Sequence, residues 1–159
     1  FYANILAFDG YYEKKWFPYT MPISDIYGLR QAFDNIKNDP YMLERHAKIG
    51  NAVRAAVKEA GLELYQETGF SNTVTVFNVP EGTTDTAILT AMKEKCNIML
   101  AGSFGASAGK VIRIGHMGEN AYPEKVGAVM AGLDLVFKDL GITLKCSLKE
   151  AYDRKMSEQ

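Results

Sequence analysis

Residues 109–118, GKVIRIGHMG, set an arginine in the middle of a short β-branched run closed by two glycines. Such residues favour a pleated backbone, so the run predicts a strand over Lys110 to Ile114. Arg113 is then a cation on an otherwise apolar element. Burying an unpaired cation is expensive, so Arg113 has to find an anion. A planar guanidinium pairs best with a carboxylate, through two parallel hydrogen bonds. That carboxylate belongs either to a bound molecule or to a neighbouring acidic side chain.

The rest of the chain supplies what a strand needs to pack against. Apolar residues at Ile23, Ile26, Tyr27, Leu29, Ala32, Phe33 and Ile36 recur with a helical period after Pro22. Asn38-Asp39-Pro40 breaks that helix and Pro40 suits the first turn of the next. A long helix follows, with Met42, His46, Ile49, Val53, Ala56 and Ala60 on one stripe and Gly61 as its stop. The period then changes. TVTVFNV, within 72–79, predicts a second strand, and Pro80-Glu81-Gly82 a turn. Thr83 or Thr84 caps a helix running to about Lys95, and a short strand is expected near Ile98 to Leu100. Pro123 opens an amphipathic helix bearing Val126, Met130, Leu133, Phe137 and Leu140, which Gly141 ends. The charged tail from Ser147 is expected to fray after one short helix. This order predicts a two-layer α/β domain: a small, largely antiparallel sheet with helices on one face. A bend is expected near residues 61–71, between long lead-in helices and the sheet.

Composition narrows the function classes. At 159 residues, 47% hydrophobic and 23% charged, the chain has the make-up of a globular domain with a real core. A net charge of -1 gives no argument for nucleic acid or for an anionic membrane surface. No apolar run reaches membrane-spanning length. Cys96 and Cys146 lie fifty residues apart without a CxxC or a histidine at metal-ligand spacing. They read as free thiols in a reducing, cytoplasmic setting. No metal site is expected.

Two segments carry a family resemblance. GSFGASAGKVI followed by RIGHMG resembles the C-terminal domain of class V pyridoxal-phosphate aminotransferases, nearest the alanine–glyoxylate and serine–pyruvate subgroup. FPYTMPISDIYGLRQAF, at 17–33, resembles that family's Thr-Pro-[aromatic]-Thr-x-Pro-x-x-x-x-Tyr-x-Leu-Arg segment. Two matches in this order, about eighty residues apart, are more specific than either alone. The opening FYANI resembles the stretch just after the family's cofactor lysine. The resemblance therefore implies a C-terminal portion: residues 1–61 as a lead-in segment and long helices linking to a large domain, and 62–159 as the small domain of a fold-type-I enzyme. It implies a homodimeric aminotransferase using pyridoxal 5'-phosphate, which moves an amino group between a small amino acid and a small 2-oxo acid such as glyoxylate or pyruvate. The cofactor lysine would lie upstream. The chain alone is expected neither to hold the cofactor covalently nor to transaminate, and no catalytic residue is assigned within it.

The resemblance also assigns roles. Arg113 is implied to bind the substrate α-carboxylate, which fixes the Cα–H bond against the cofactor ring. Thr20 is implied to donate to the cofactor phosphate of the neighbouring subunit. Phe17, three positions earlier, stands where relatives often carry a hydroxyl. Tyr19 is the candidate to compensate. Arg30 and Lys110 read as surface or structural residues. His46 reads as a packed, hydrogen-bonded histidine, and His116 as a supporting residue behind the substrate. Gly102–Gly109 lacks P-loop spacing and is followed by a strand. It reads as a loop that approaches substrate closely, moves on closure, or merely connects. Two rivals stand beside this reading: an aminophosphonate–pyruvate transaminase, and a stand-alone α/β ligand-binding or dimerisation module without catalysis.

Overall fold

The computed structural model describes residues 3–158, so Phe1 and Tyr2 of the opening FYANI lie outside the described residues. Contacts divide the chain into two compact units, Phe1–Pro40 and Tyr41–Gln159.

The first unit carries α1 (Tyr11–Lys14) and α2 (Ile23–Lys37). Aromatic side chains organise the segment around them. Phe8 meets Phe17 edge-to-face at 5.3 Å and Tyr19 at 5.9 Å. Ring edges carry partial positive charge and faces partial negative, which favours that arrangement. Asp25 in the first turn of α2 and Lys37 in its last both complement the helix dipole.

The second unit comprises α3 (Met42–Glu59), β1 (Val74–Asn78), α4 (Asp85–Cys96), β2 (Val111–Gly115), α5 (Pro123–Asp139) and α6 (Leu148–Glu158). The expected caps are in place. Thr84 accepts from Ala87 N–H at 3.1 Å, Pro123 stands in the first turn of α5, and Gly61 and Gly141 leave their helices with φ of +85° and +73°. Packing places α3 in the second unit: Ile49, Ala52, Val53, Ala56 and Val57 are wholly buried in its core. Each such Ile or Val side chain contributes roughly 1.5–3 kcal/mol.

The strands pair antiparallel, with Val76 opposite Arg113 and Phe77 opposite Ile112. Phe77, Ile112 and Ile114 are buried in the helical core. Alternation therefore turns Arg113 to the opposite face of the sheet. The architecture is the predicted small antiparallel sheet with helices, but the sheet has two strands. The strand expected near Ile98 to Leu100 does not form. Asn97 ends α4 in the left-handed conformation and Ile98 N–H is taken by the Met92 carbonyl. Past Leu100, Ala101 forms an isolated bridge to Arg113, and Leu64 forms another to Phe77.

The tail also departs from expectation. Instead of fraying, α6 packs against α3 and α5, burying Leu148, Ala151 and Tyr152. Its start is held by Asp134 of α5, which accepts from Ser147 Oγ at 2.6 Å, Leu148 N–H at 2.7 Å and Lys149 N–H at 3.0 Å. Ser147 adds a local cap, its Oγ accepting from Glu150 N–H at 3.1 Å.

Candidate functional site

Arg113 is half-buried on the sheet face away from the core. Its backbone N–H donates to the Ala101 carbonyl at 2.7 Å, and its Nε–H donates to the Gly102 carbonyl at 2.6 Å. Among the described residues no carboxylate lies within ion-pairing distance, and the two terminal nitrogens meet no acceptor. A groove of about 640 Å3 opens beside it, walled by Val74, Met99, Leu100 and Met117, with Asn120 and Lys125 as polar members. An apolar groove with a few polar groups is the usual form of a small-molecule site. Of the two sources of carboxylate left open by the sequence, a neighbouring acidic side chain is not found among the described residues.

His116 sits three residues beyond Arg113 and is fully buried. Its Nδ1–H donates to the Asn72 carbonyl at 3.1 Å, which leaves Nε2 to accept from the Thr75 hydroxyl at 2.9 Å. The ring thus ties the end of β2 to β1 and its lead-in. Burial pushes its pKa down to about 4, the Asn72 bond offsets part of this, and the charges of Arg54 and His46 lower it further. Both ring nitrogens are thus engaged within the fold. His46 is packed too: its Nδ1–H donates to the Met42 carbonyl at 2.7 Å, and Nε2 accepts from Gly118 N–H at 3.2 Å.

The sequence reading missed Arg54. This buried cation on α3 donates to the Ser71 carbonyl at 2.8 Å and to the Asn51 side-chain oxygen at 2.7 Å, and lies over the Phe70 ring. Burial lowers its pKa. It also missed that the Gly102–Gly109 loop grips Arg113. Small residues marked a close backbone approach there, but not which carbonyl would accept. Thr20 belongs to the first unit, exposed on the segment before α2, whose first turn carries no side-chain cap. Cys96 and Cys146 are unpaired, no metal-ligand cluster occurs among the described residues, and no described helix is long and apolar enough to cross a membrane.

The fold is a small α/β domain, two antiparallel strands packed with helices. The similarities are specific. The chain is 38% identical over 149 residues to an uncharacterized aminotransferase of Methanocaldococcus jannaschii, covering 91% of this chain and 38% of that protein. It is 36% identical over 130 residues to the serine–glyoxylate aminotransferase of Arabidopsis thaliana, covering 79% and 32%. The crystal structure of pyridoxamine–pyruvate aminotransferase from Mesorhizobium loti superposes with a TM-score of 0.86 at 28% identity, over 97% of this chain and 41% of that one. No protein-family model matches. The chain belongs to the class V aminotransferase family, and its fold is that of the family's C-terminal domain. It spans less than half the length of these relatives.

Proposed function

We propose that this chain supplies the substrate-carboxylate clamp of a homodimeric pyridoxal-phosphate aminotransferase. That enzyme transfers an amino group between a small amino acid and glyoxylate or pyruvate. The observation that carries the proposal is Arg113: a half-buried guanidinium beside an open groove, its outer edge meeting no acid among the described residues. A carboxylate from a bound amino or oxo acid supplies the missing anion.

Thr20 fits a cofactor phosphate. Its residue is exposed, and the amides opening α2 shortly after it have no side-chain cap. A hydroxyl beside a helix N-terminus suits a phosphate oxygen. When bound, the cofactor supplies a sink for the electrons left on the substrate Cα after deprotonation. This chain's residues hold the substrate in the orientation that makes the deprotonation efficient. In the dimer, Thr20 would serve the neighbouring subunit. Residues 1–61 form the lead-in to the large domain and 62–159 the small domain. α3 then serves both, as a connection and as core. Two unpaired cysteines support a reducing, cytoplasmic setting.

Arg113→Lys in the whole enzyme tests the reading. Lysine keeps the charge and loses the two-bond fork. Single-turnover efficiency for the amino acid should fall at least tenfold, about 1.4 kcal/mol. An amine lacking the carboxylate should react equally poorly with both forms, and the melting temperature should hold. Equal losses on acid and amine, with a lower melting temperature, would mark a structural arginine instead.

A further inference from the structure

The guanidinium of Arg113 offers two edges to a carboxylate. The side edge uses Nε and one terminal nitrogen, and the far end uses both terminal nitrogens. Gly102 has already taken Nε–H, at 2.6 Å. The side edge is therefore closed and the far end is open. The same strap is fixed through the backbone, since Arg113 N–H donates to the Ala101 carbonyl and Ala101 N–H returns a longer bond of 3.4 Å.

Side chains of α4 lie beside Gly102. A Cβ built on Gly102 would come within 3.3 Å of Asp85 Oδ2 and 3.4 Å of Leu89 Cδ1. A methyl there requires the Asp85 carboxylate to give by a few tenths of an ångström. Asp85 is itself held, its Oδ1 accepting from Thr86 N–H at 2.7 Å. The Gly102 bond to Nε–H, beside the backbone bonds between Ala101 and Arg113, orients the plane of the guanidinium.

We propose that Gly102 is the positioning residue of the carboxylate clamp: its carbonyl occupies Nε of Arg113, closes the side edge, and makes the substrate carboxylate dock end-on through the two terminal nitrogens. The inference rests on the clamp reading above and adds to it a docking geometry and a second residue. The end-on fork fits a planar carboxylate. It also sets the substrate's Cα direction relative to the sheet, because a two-bond pair allows little rotation. Loop 102–109 is thus part of the site rather than a connection.

The first test uses the wild-type chain. By NMR, the Arg113 Nε–H should exchange with solvent about tenfold more slowly than that of the exposed Arg30, and titration with acetate should move the Arg113 terminal-nitrogen signals while Nε stays put. An Arg113 Nε–H as labile as that of Arg30, or one that shifts with acetate, overturns the proposal. The second test uses the whole holoenzyme. Gly102→Ala should raise the KM for the amino acid roughly fivefold, change kcat less, and leave the carboxylate-free amine unaffected. Adding Asp85→Ala removes the nearer obstacle and should restore most of the KM. A rise shared by acid and amine, or no rescue, overturns the positioning role. Arg113→Lys run alongside separates the two levels. If it discriminates acid from amine while Gly102→Ala does not, the clamp stands and the positioning falls. If it does not discriminate, both fall.

Discussion

His116 makes the stability of this chain depend on acid in a way that can be worked out beforehand. An unconstrained histidine titrates near 6.5, and in the folded chain burial holds His116 near 4. Between those values the unfolded state takes up a proton that the folded state refuses, so stability falls as pH falls. Above about 6.5 both states are neutral and the contribution is complete. Below about 4 both are protonated and it is gone. The gap between 6.5 and about 4 is worth roughly 3 kcal/mol at 1.36 kcal/mol per pH unit. Solvent does not dilute this figure, because the residue is 0% exposed. Protonating Nε2 also removes the acceptor of the Thr75 hydroxyl, which leaves that hydroxyl to find another partner in the core. Urea unfolding of this chain from pH 7.5 to 4, beside His116→Gln, isolates the contribution from that of the carboxylates. Wild type should lose about 3 kcal/mol more than the variant over that range. Parallel pH profiles, or an NMR titration of the His116 ring centred near 6.5, would refute the reasoning.

The other expectations concern both units. Asp134→Ala removes three hydrogen bonds from the start of α6 and should lower stability by about 2 kcal/mol, read by urea unfolding, with α6 amides losing most hydrogen-exchange protection. Gly141→Ala forces a side chain onto a φ of +73° and should lower stability by about 1 kcal/mol, with unchanged helix content by circular dichroism. In the whole enzyme, Thr20→Val should weaken cofactor retention by about 1.5–3 kcal/mol while sparing substrate saturation, with the defect in the opposite subunit of mixed dimers. Unchanged retention on dialysis would remove Thr20 from the site.

Local chemistry explains what could be read from the sequence. Helix stripes, β-branched runs, Pro123 and the glycines at 61 and 141 act through near neighbours, so α2, α3, α5 and both strands were legible to within a few residues. The place of Arg113 on a strand was legible for the same reason, and a cation there calls for an anion. The family was legible because two motifs lie in order. Tertiary structure alone decided what depends on atoms distant in sequence. The charged tail from Ser147 reads as one short helix that frays, yet α6 runs to Glu158 and is core because α3 and α5 cover Leu148, Ala151 and Tyr152 and Asp134 joins Ser147 in capping its start. Ile98 to Leu100 is apolar enough for a strand, but the end of α4 claims the Ile98 amide. The Gly102 carbonyl reached Arg113 through folding, since every residue carries a carbonyl and no sequence marks which one a guanidinium eleven residues away will meet. A side chain's type states what partner it needs, and only the packed chain brings that partner within hydrogen-bond distance.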